Sequence, residues 1–171
     1  DQDPELIRTV YRVTKSVDPT RPVIDTSGYV HVETDVYDCH NYEQDVEKFA
    51  AFFRPFREGG KPWRNFPEES AHWKGQPYFV SEYGGIWWNP GQRDEEGWGY
   101  GKRPESEEEF LERYRALTET LLFHPRICGF CYTQLYDIEQ EVNGLYTYDR
   151  RPKFDPEKIR AINVQRAAIE E

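Results

Sequence analysis

The segment that decides the fold is 78-YFVSEYGG-85, an apolar run that ends in two glycines. A short aromatic and β-branched run of this kind, bounded by turn residues, predicts a buried strand. Glu82 lies near its carboxyl end, where an ionised side chain is costly to bury unless it has partners or a task. Glu82 is therefore a candidate catalytic residue, and pairing with a neighbouring Arg or Tyr is the structural alternative.

Helix and strand patterns alternate along the rest of the chain. Apolar residues recur at helical spacing over 4–17, 45–56, 106–125 and 155–171, and strands are predicted at 23–26, 32–42, 78–85 and 127–137. Such alternation is typical of parallel strands connected by crossover helices. We expect an α/β fold in which residues 1–171 form a single domain, with about four of the eight βα units of a TIM barrel.

Composition limits the classes of partner. Asp and Glu number 32 against 22 Lys and Arg, for a net charge of −10, which argues against nucleic acid and anionic membrane surfaces. No stretch approaches the roughly 20 apolar residues of a membrane span. The three cysteines are too few for a disulfide scaffold, which favours a reducing, cytoplasmic compartment. Because the chain begins at Asp1 and contains no Met, we expect an excised or processed piece.

Two cysteine patterns suggest other chemistry and are set aside. The pair in 128-CGFC-131 looks like a thioredoxin motif, but that motif needs a helix N-terminus and this pair lies in a predicted strand. Residues three apart on a strand face opposite sides, so Cys128 and Cys131 are expected to be packing residues. Neither Cys39 with His40 nor His124 with these cysteines has the spacing of a zinc site, and no metal or cofactor is expected.

Polar clusters end three of the predicted strands: 40-HNY-42, 81-SEYGG-85 and 133-TQLYD-137. The carboxyl ends of parallel strands meet at one edge of a sheet, so these clusters should converge on one pocket. The loop at 87–104 is long and rich in glycine, which is typical of functional loops. Aromatic residues make up 16% of the chain, so stacking surfaces for a flat ligand are plausible.

Two of these segments resemble family 2 of the glycoside hydrolases, which contains β-galactosidases and β-glucuronidases. The run 79-FVSEYGG-85 is similar to the family's nucleophile strand, and 129-GFCYTQLYDIEQEVNGLYTYDRRPKFD-155 resembles its closing strand and following loop. The segments 5–28 and 35–42 are similar to what lies between the two catalytic glutamates. The resemblance covers nearly the whole chain and implies the C-terminal half of the catalytic TIM barrel.

By this resemblance, Glu82 attacks the anomeric carbon and forms a covalent glycosyl-enzyme, which water hydrolyses with retention of configuration. Tyr42 matches a pocket tyrosine whose hydroxyl can hydrogen-bond that carboxylate, although a packed strand-end tyrosine is the alternative. The candidate substrate contacts are Tyr42, Asn41, His40, Gln134 and Asp137, with Trp87 and Trp88 as stacking surfaces. Strand alternation should direct at most two of residues 40–42 inward. A buried pair that fixes the closing loop to the barrel rim explains Gln134 and Asp137 nearly as well.

The chain departs from the family pattern in one respect. A retaining enzyme needs a second carboxylate about 5 Å from the nucleophile, and the family carries it in an Asn-Glu pair on an earlier strand. That strand would lie upstream of Asp1, so the expected partners are a carbohydrate substrate and the N-terminal half of the barrel with the β-sandwich domains of a parent chain. Association with a second copy is the alternative to dependence on the missing half. A catalytically inactive carbohydrate-binding or structural fragment is the alternative function, and the sequence leaves the sugar open.

Overall fold

The computed structural model of the chain describes residues 2–90 and 97–170. Helices and strands alternate along them: α1 Pro4–Val17, β1 Tyr37–Asn41, α2 Val46–Arg57, β2 Tyr78–Gly84, α3 Glu107–Leu122, β3 Ile127–Thr133 and α4 Pro156–Asn163. A short 3-10 turn follows at Ala168–Glu170. Each of the four α-helices begins after a residue whose side chain accepts backbone N–H groups of the first turn, namely Asp3, Asp45, Ser106 and Asp155.

The strands form a parallel sheet in the order β1-β2-β3, with α2 and α3 as the crossover connections. All three carboxyl ends therefore lie at one edge of the sheet. A register shift between Cys39 and His40 makes His40 the partner of Glu82 across the β1–β2 pair. The expected α/β fold with parallel strands is confirmed.

The prediction of a strand at 23–26 is wrong. The N–H of Val23 donates to the carboxylate of Asp35 at 3.0 Å, and its carbonyl accepts the N–H of Asp35 at 3.0 Å. The N–H of Asp25 points to the Thr34 hydroxyl at 3.4 Å. These backbone groups are satisfied by the loop that follows rather than by a neighbouring strand, so the described ranges contain three βα units instead of four.

The core lies between the sheet and the helices on it. One face of α2 buries three phenylalanines at helical spacing, Phe49, Phe53 and Phe56. The facing stripe of α3 consists of Phe110, Tyr114, Leu117, Leu121 and Leu122. The hydroxyls of Tyr83 in β2 and Thr118 in α3 are 2.8 Å apart, which ties the helix to the strand that carries Glu82. The strands whose carboxyl ends carry the polar clusters are thus held by a densely packed core.

Two further expectations are corrected. The closing helix ends at Asn163 rather than continuing to residue 171, since Val164 and Ile169 are exposed and give its extension no apolar face to bury. Cys128 and Cys131 are exposed rather than packed, because β3 is the last strand in the sheet order. In the described part of the chain, no helix is both long and apolar enough to cross a membrane, and no group of three or more His, Cys, Asp or Glu could hold a metal ion.

Candidate active site

Glu82 lies close to the carboxyl end of β2, just before a turn made of two glycines. Gly84 and Gly85 both have positive φ, at 83° and 62°. A Cβ on Gly84 would lie 2.2 Å from the ring of Tyr132, and one on Gly85 would lie 2.5 Å from the ring of Tyr100. Glycine is therefore required twice, for the left-handed backbone and for the close approach of two aromatic rings.

Two side chains from the end of β1 contact the Glu82 carboxylate. The hydroxyl of Tyr42 donates a hydrogen bond to Oε2, and Nδ1 of His40 lies 3.3 Å from the same oxygen. The side chain of Glu82 remains 38% exposed. Within the described residues, both contacts fall on Oε2, so Oε1 is the oxygen presented to a ligand.

Tyr42 is fixed by stacking. Its ring lies parallel to that of Tyr100, with centroids 3.8 Å apart and an angle of 8° between the planes. The side-chain amide of Gln44 donates to the carbonyls of Tyr42 and Gly84, which binds the end of β1 to the end of β2. Burial raises the pKa of the Tyr42 phenol and the Glu82 carboxylate raises it further, so Tyr42 stays protonated well into the alkaline range.

His40 is held by a loop that precedes β1. Its Nε2 lies 2.9 Å from the hydroxyl of Ser27. The next residue, Gly28, has a φ of +64°, and a Cβ there would lie 2.2 Å from Cγ of His40. The backbone of the loop therefore lies directly against the imidazole ring, an approach that only glycine permits.

A buried ionic network beneath this loop was missed by the sequence reasoning. His31 is 1% exposed, with Nδ1 2.7 Å from Asp25 and Nε2 2.9 Å from Asp38. Burial alone lowers the pKa of His31, but the hydrogen bonds to Asp25 and Asp38 outweigh burial and raise the pKa to about 9. Asp38 also accepts from the Ser81 hydroxyl, which links the network to the strand of Glu82. The signals in the sequence were Asp25 and Asp38, two charged residues within predicted strands.

Four other residues predicted to contact substrate differ in how deeply they are buried. Trp88 is 7% exposed and packs in the core against Phe110 and Phe154, so it has no free face for a sugar. Asp137 is buried in an ion pair with Lys153 at 2.7 Å, which is the loop-fixing arrangement left open above. Trp87 and Gln134 are half-buried.

Two of the residues predicted to contact substrate have a side-chain amide nitrogen without a hydrogen-bond partner. The side chain of Asn41 is buried, and its Oδ1 accepts the N–H of Glu43 at 3.0 Å. Its Nδ2, like Nε2 of Gln134, is buried and has no hydrogen-bond partner in the described part of the chain. Asn41 is the last residue of β1 and Gln134 directly follows β3, so both lie at the edge of the sheet that carries Glu82.

The structure thus brings Glu82, Tyr42 and His40 into contact and adds Tyr100, which the sequence analysis did not single out. Tyr100 belongs to the long loop predicted to be functional, of which residues 91–96 lie outside the described residues. The N–H of Tyr100 donates to the carbonyl of Gly85 at 2.8 Å, and its ring contacts Trp98 edge-on at 5.8 Å. An aromatic row of Tyr42, Tyr100 and Trp98 therefore leads outward from Glu82.

Comparison with known proteins gives matches among solved structures alone. No family model and no curated protein matches the chain. A GH2 β-galacturonidase from Eisenbergiella tayi is 18% identical with a TM-score of 0.65, covering 96% of this chain and 31% of that one. The fold is that of a segment of a family 2 glycoside hydrolase. A β-glucuronidase from an uncultured Clostridium sp. is 16% identical with a TM-score of 0.61, covering 93% of this chain and 28% of that one.

A third match is Bacteroides uniformis β-glucuronidase 2, solved covalently bound to cyclophellitol-6-carboxylate aziridine. It is 20% identical with a TM-score of 0.57, covering 87% of this chain and 18% of that one. The chain spans less than a third of the length of each of these three proteins. At these identities the likeness establishes the fold, and it confirms the resemblance to family 2 at that level.

Proposed function

We propose that this chain is part of the catalytic domain of a retaining glycoside hydrolase of family 2, with Glu82 as the nucleophile. The observation that carries this is the carboxylate at the end of β2, held on one oxygen by Tyr42 and His40 and open on the other. A catalytic nucleophile needs this combination of fixed orientation and one free oxygen. Catalytic residues of a TIM barrel lie at the carboxyl ends of its strands. In this proposal the parallel sheet and its connecting helices are part of such a barrel, and the free oxygen of Glu82 lies at that end.

In this mechanism Oε1 of Glu82 attacks the anomeric carbon while the bond from that carbon to the leaving oxygen breaks. The product is a glycosyl ester on Glu82, and attack by water on the same carbon then restores the carboxylate with net retention. Tyr42 donates to the second oxygen, which keeps a partial negative charge in the ester, and Nδ1 of His40 lies 3.3 Å from the same atom. These two contacts therefore stabilise the carboxylate as its charge is lost and regained.

Protonation of the leaving oxygen requires a second carboxylic acid about 5 Å from Glu82. We assign that residue to a segment of the parent protein that precedes this chain. The same segment would supply the missing strands of the barrel, and β-sandwich domains would complete the protein. This division explains why the chain covers only a part of each matching structure.

The substrate proposed is a β-glycoside, of the galactoside or uronide type. The matched proteins are named as a β-galacturonidase and β-glucuronidases. Unpartnered amide nitrogens on Asn41 and Gln134 support a sugar ligand, because a buried donor without a partner costs free energy that a sugar hydroxyl would recover. Trp87 remains a stacking candidate in this proposal, whereas the burial of Trp88 and Asp137 favours structural roles for them.

The test compares two substitutions of glutamate in the full-length protein that contains this chain. Glu82→Gln removes the nucleophile and should lower kcat on an aryl β-glycoside by roughly 10³-fold or more. Glu43→Gln is the matched control, because Glu43 lies at the same end of the sheet and its carboxylate accepts only nearby backbone N–H groups among the described contacts. We expect Glu43→Gln to keep kcat within about threefold of wild type.

The outcome separates the two functions considered. Loss of turnover in Glu82→Gln alone supports the hydrolase. A wild-type protein that binds the glycoside in calorimetry but never cleaves it would support the carbohydrate-binding fragment. Equal activity of wild type and Glu82→Gln would remove Glu82 from the mechanism.

A further inference from the structure

His40 is held at both nitrogens of its imidazole ring. Nδ1 lies 3.3 Å from Oε2 of Glu82, and Nε2 lies 2.9 Å from the hydroxyl of Ser27. The backbone N–H and carbonyl of His40 are also bound by the side-chain amide of Asn65, at 3.0 and 2.8 Å. The ring therefore has one orientation and a defined partner at each nitrogen.

These partners make different demands on the two nitrogens. An ionised carboxylate can only accept a hydrogen bond, so Nδ1 has to carry a proton. A neutral imidazole then has a lone pair at Nε2, and the Ser27 hydroxyl can donate to it. The reverse tautomer would direct the lone pair of Nδ1 at the carboxylate, which places two acceptors against each other.

We infer that Ser27 is a positioning residue that holds the imidazole ring of His40 with Nδ1 facing Glu82, so that the carboxylate selects the Nδ1–H tautomer. The role rests on the proposed function of Glu82 as the nucleophile. Ser27 itself does not touch the reacting atoms, since it acts through His40. With the proton on Nδ1, an N–H group of His40 faces the Glu82 carboxylate.

The loop around Ser27 is built to hold this position. The N–H of Gly28 donates to Oδ2 of Asp38 at 3.1 Å, and Asp38 is in turn bound by the buried His31. The positive φ of Gly28 lets the backbone lie against the ring of His40. The ionic network therefore fixes the loop backbone, and the loop fixes the hydroxyl of Ser27 at Nε2.

Nuclear magnetic resonance of the full-length protein, labelled with ¹⁵N at histidine, tests the tautomer directly. The chain contains 4 histidines, and His40→Gln identifies the His40 signals by their disappearance. Because Ser27 is exposed, Ser27→Ala removes the hydroxyl without leaving a cavity. Ser27→Thr keeps a hydroxyl at the position, and Ser16→Ala is the matched control at an exposed serine of α1.

At pH 8 we expect wild type, Ser27→Thr and Ser16→Ala to show a proton on Nδ1 and a lone pair on Nε2 of His40. Ser27→Ala should show a mixture of tautomers. In the same proteins, kcat should fall about fivefold in Ser27→Ala with KM unchanged, and Ser27→Thr should recover it. A wild-type spectrum with the proton on Nε2, or on both nitrogens, would overturn the inference, as would a Ser27→Ala spectrum identical to wild type.

This design keeps two failures apart. If the wild-type protein has no glycosidase activity, the proposed function of Glu82 fails and the catalytic role of Ser27 fails with it, while the tautomer measurement still reports whether Ser27 controls His40. If the protein is active and kcat is the same in Ser27→Ala, the positioning role alone fails.

Discussion

At the scale of single residues, the site depends on donors directed at one carboxylate oxygen. Tyr42 and His40 contact Oε2 of Glu82 from positions two residues apart at the end of the neighbouring strand, and the register shift in β1 aligns His40 with Glu82. A hydrogen bond to an ionised group is stronger than one between neutral groups. Removal of a single donor should therefore be measurable in kcat.

Tyr42→Phe should lower kcat about 10- to 100-fold, because the hydrogen bond to the charged carboxylate is lost while the ring stays stacked on Tyr100. Tyr29→Phe serves as the control, since Tyr29 is exposed and stacks on Phe66. Steady-state kinetics of the two variants in the full-length protein gives the comparison. Wild-type kcat in Tyr42→Phe would show that the hydroxyl does not act on Glu82.

His31 should make stability depend on pH. Its pKa is raised from the ordinary value of 6.5 to about 9, so the folded state holds a proton that the unfolded state releases between these values. The stabilisation is complete below pH 6.5, decreases as the pH rises, and is lost above about pH 9. His31→Gln should therefore lower the free energy of unfolding by on the order of 3 kcal/mol at pH 6 and by much less at pH 9.5.

Urea denaturation of His31→Gln and of the exposed-histidine control His72→Gln at both pH values measures this difference. A loss in His31→Gln that is equal at pH 6 and pH 9.5 would mean that His31 is not charged in the folded protein.

At the scale of the elements, the segment after β3 is fastened by a buried ion pair. Nζ of Lys153 lies 2.7 Å from Asp137 and also donates to the carbonyls of Trp88 and Val142. The N–H of Gly144 donates to Asp137 at 2.9 Å. This contact network ties the segment after β3 to Trp88 and buries the side chain of Asp137, whose Oδ1 accepts both hydrogen bonds.

Asp137→Asn should therefore destabilise the protein by about 3 kcal/mol, because the buried Lys153 loses its counter-charge. The KM of folded protein for an aryl glycoside should change by less than about threefold. Chemical denaturation and kinetics of Asp137→Asn, beside the exposed control Asp149→Asn, provide both numbers. A large rise in KM with unchanged stability would return Asp137 to the sugar-binding site.

The sequence predicts most elements because their signals are local. Helices α1, α2 and α3 have both a capping residue and an apolar stripe, and β2 has a continuous apolar run. The segment at 23–26 was mistaken for a strand because its residues favour extended backbone, whereas its pairing depends on Asp35, twelve residues after Val23. Local propensity carries no information about such a partner.

The site was predictable in part for the same reason. Glu82 and Tyr42 lie in motifs that resemble a known family, and the parallel sheet brings their strand ends together. The His31 network and the stacking of Tyr100 on Tyr42 arise from loops, whose contacts depend on tertiary structure rather than on periodicity. Trp88 was expected at the surface of a pocket and lies in the core, because an aromatic side chain beside glycines serves either place equally well.

At the scale of the whole molecule, one face of α1 is apolar and uncovered. It consists of Leu6, Val10, Val13 and Val17, each at least 55% exposed in the described chain. Their spacing places them on one side of the helix. Contiguous exposed apolar surface of this kind marks a contact with another segment or chain. In the proposed barrel, the remainder of the parent protein would cover this face.

The chain by itself should consequently self-associate, and Val10→Gln with Val13→Gln should reduce the association. Thr9→Gln is the control, since Thr9 is an exposed polar residue of the same helix. Sedimentation velocity at two protein concentrations measures the effect. A chain that sediments as a monomer at both concentrations would contradict dependence on a missing partner segment.

The central claim is that Glu82 forms a covalent bond with a sugar, and covalent trapping tests it most directly. A panel of 2-deoxy-2-fluoro-β-glycosides with 2,4-dinitrophenyl leaving groups, in the galactosyl and glucuronyl series, would be incubated with the full-length protein and with this chain. Mass spectrometry of peptides would then locate the label. We predict one sugar per molecule of the full-length protein, attached to Glu82 in the peptide that contains FVSEYGG, and the reactive sugar will define the specificity. A label on another residue, or an active protein that is never labelled, would contradict the assignment of Glu82.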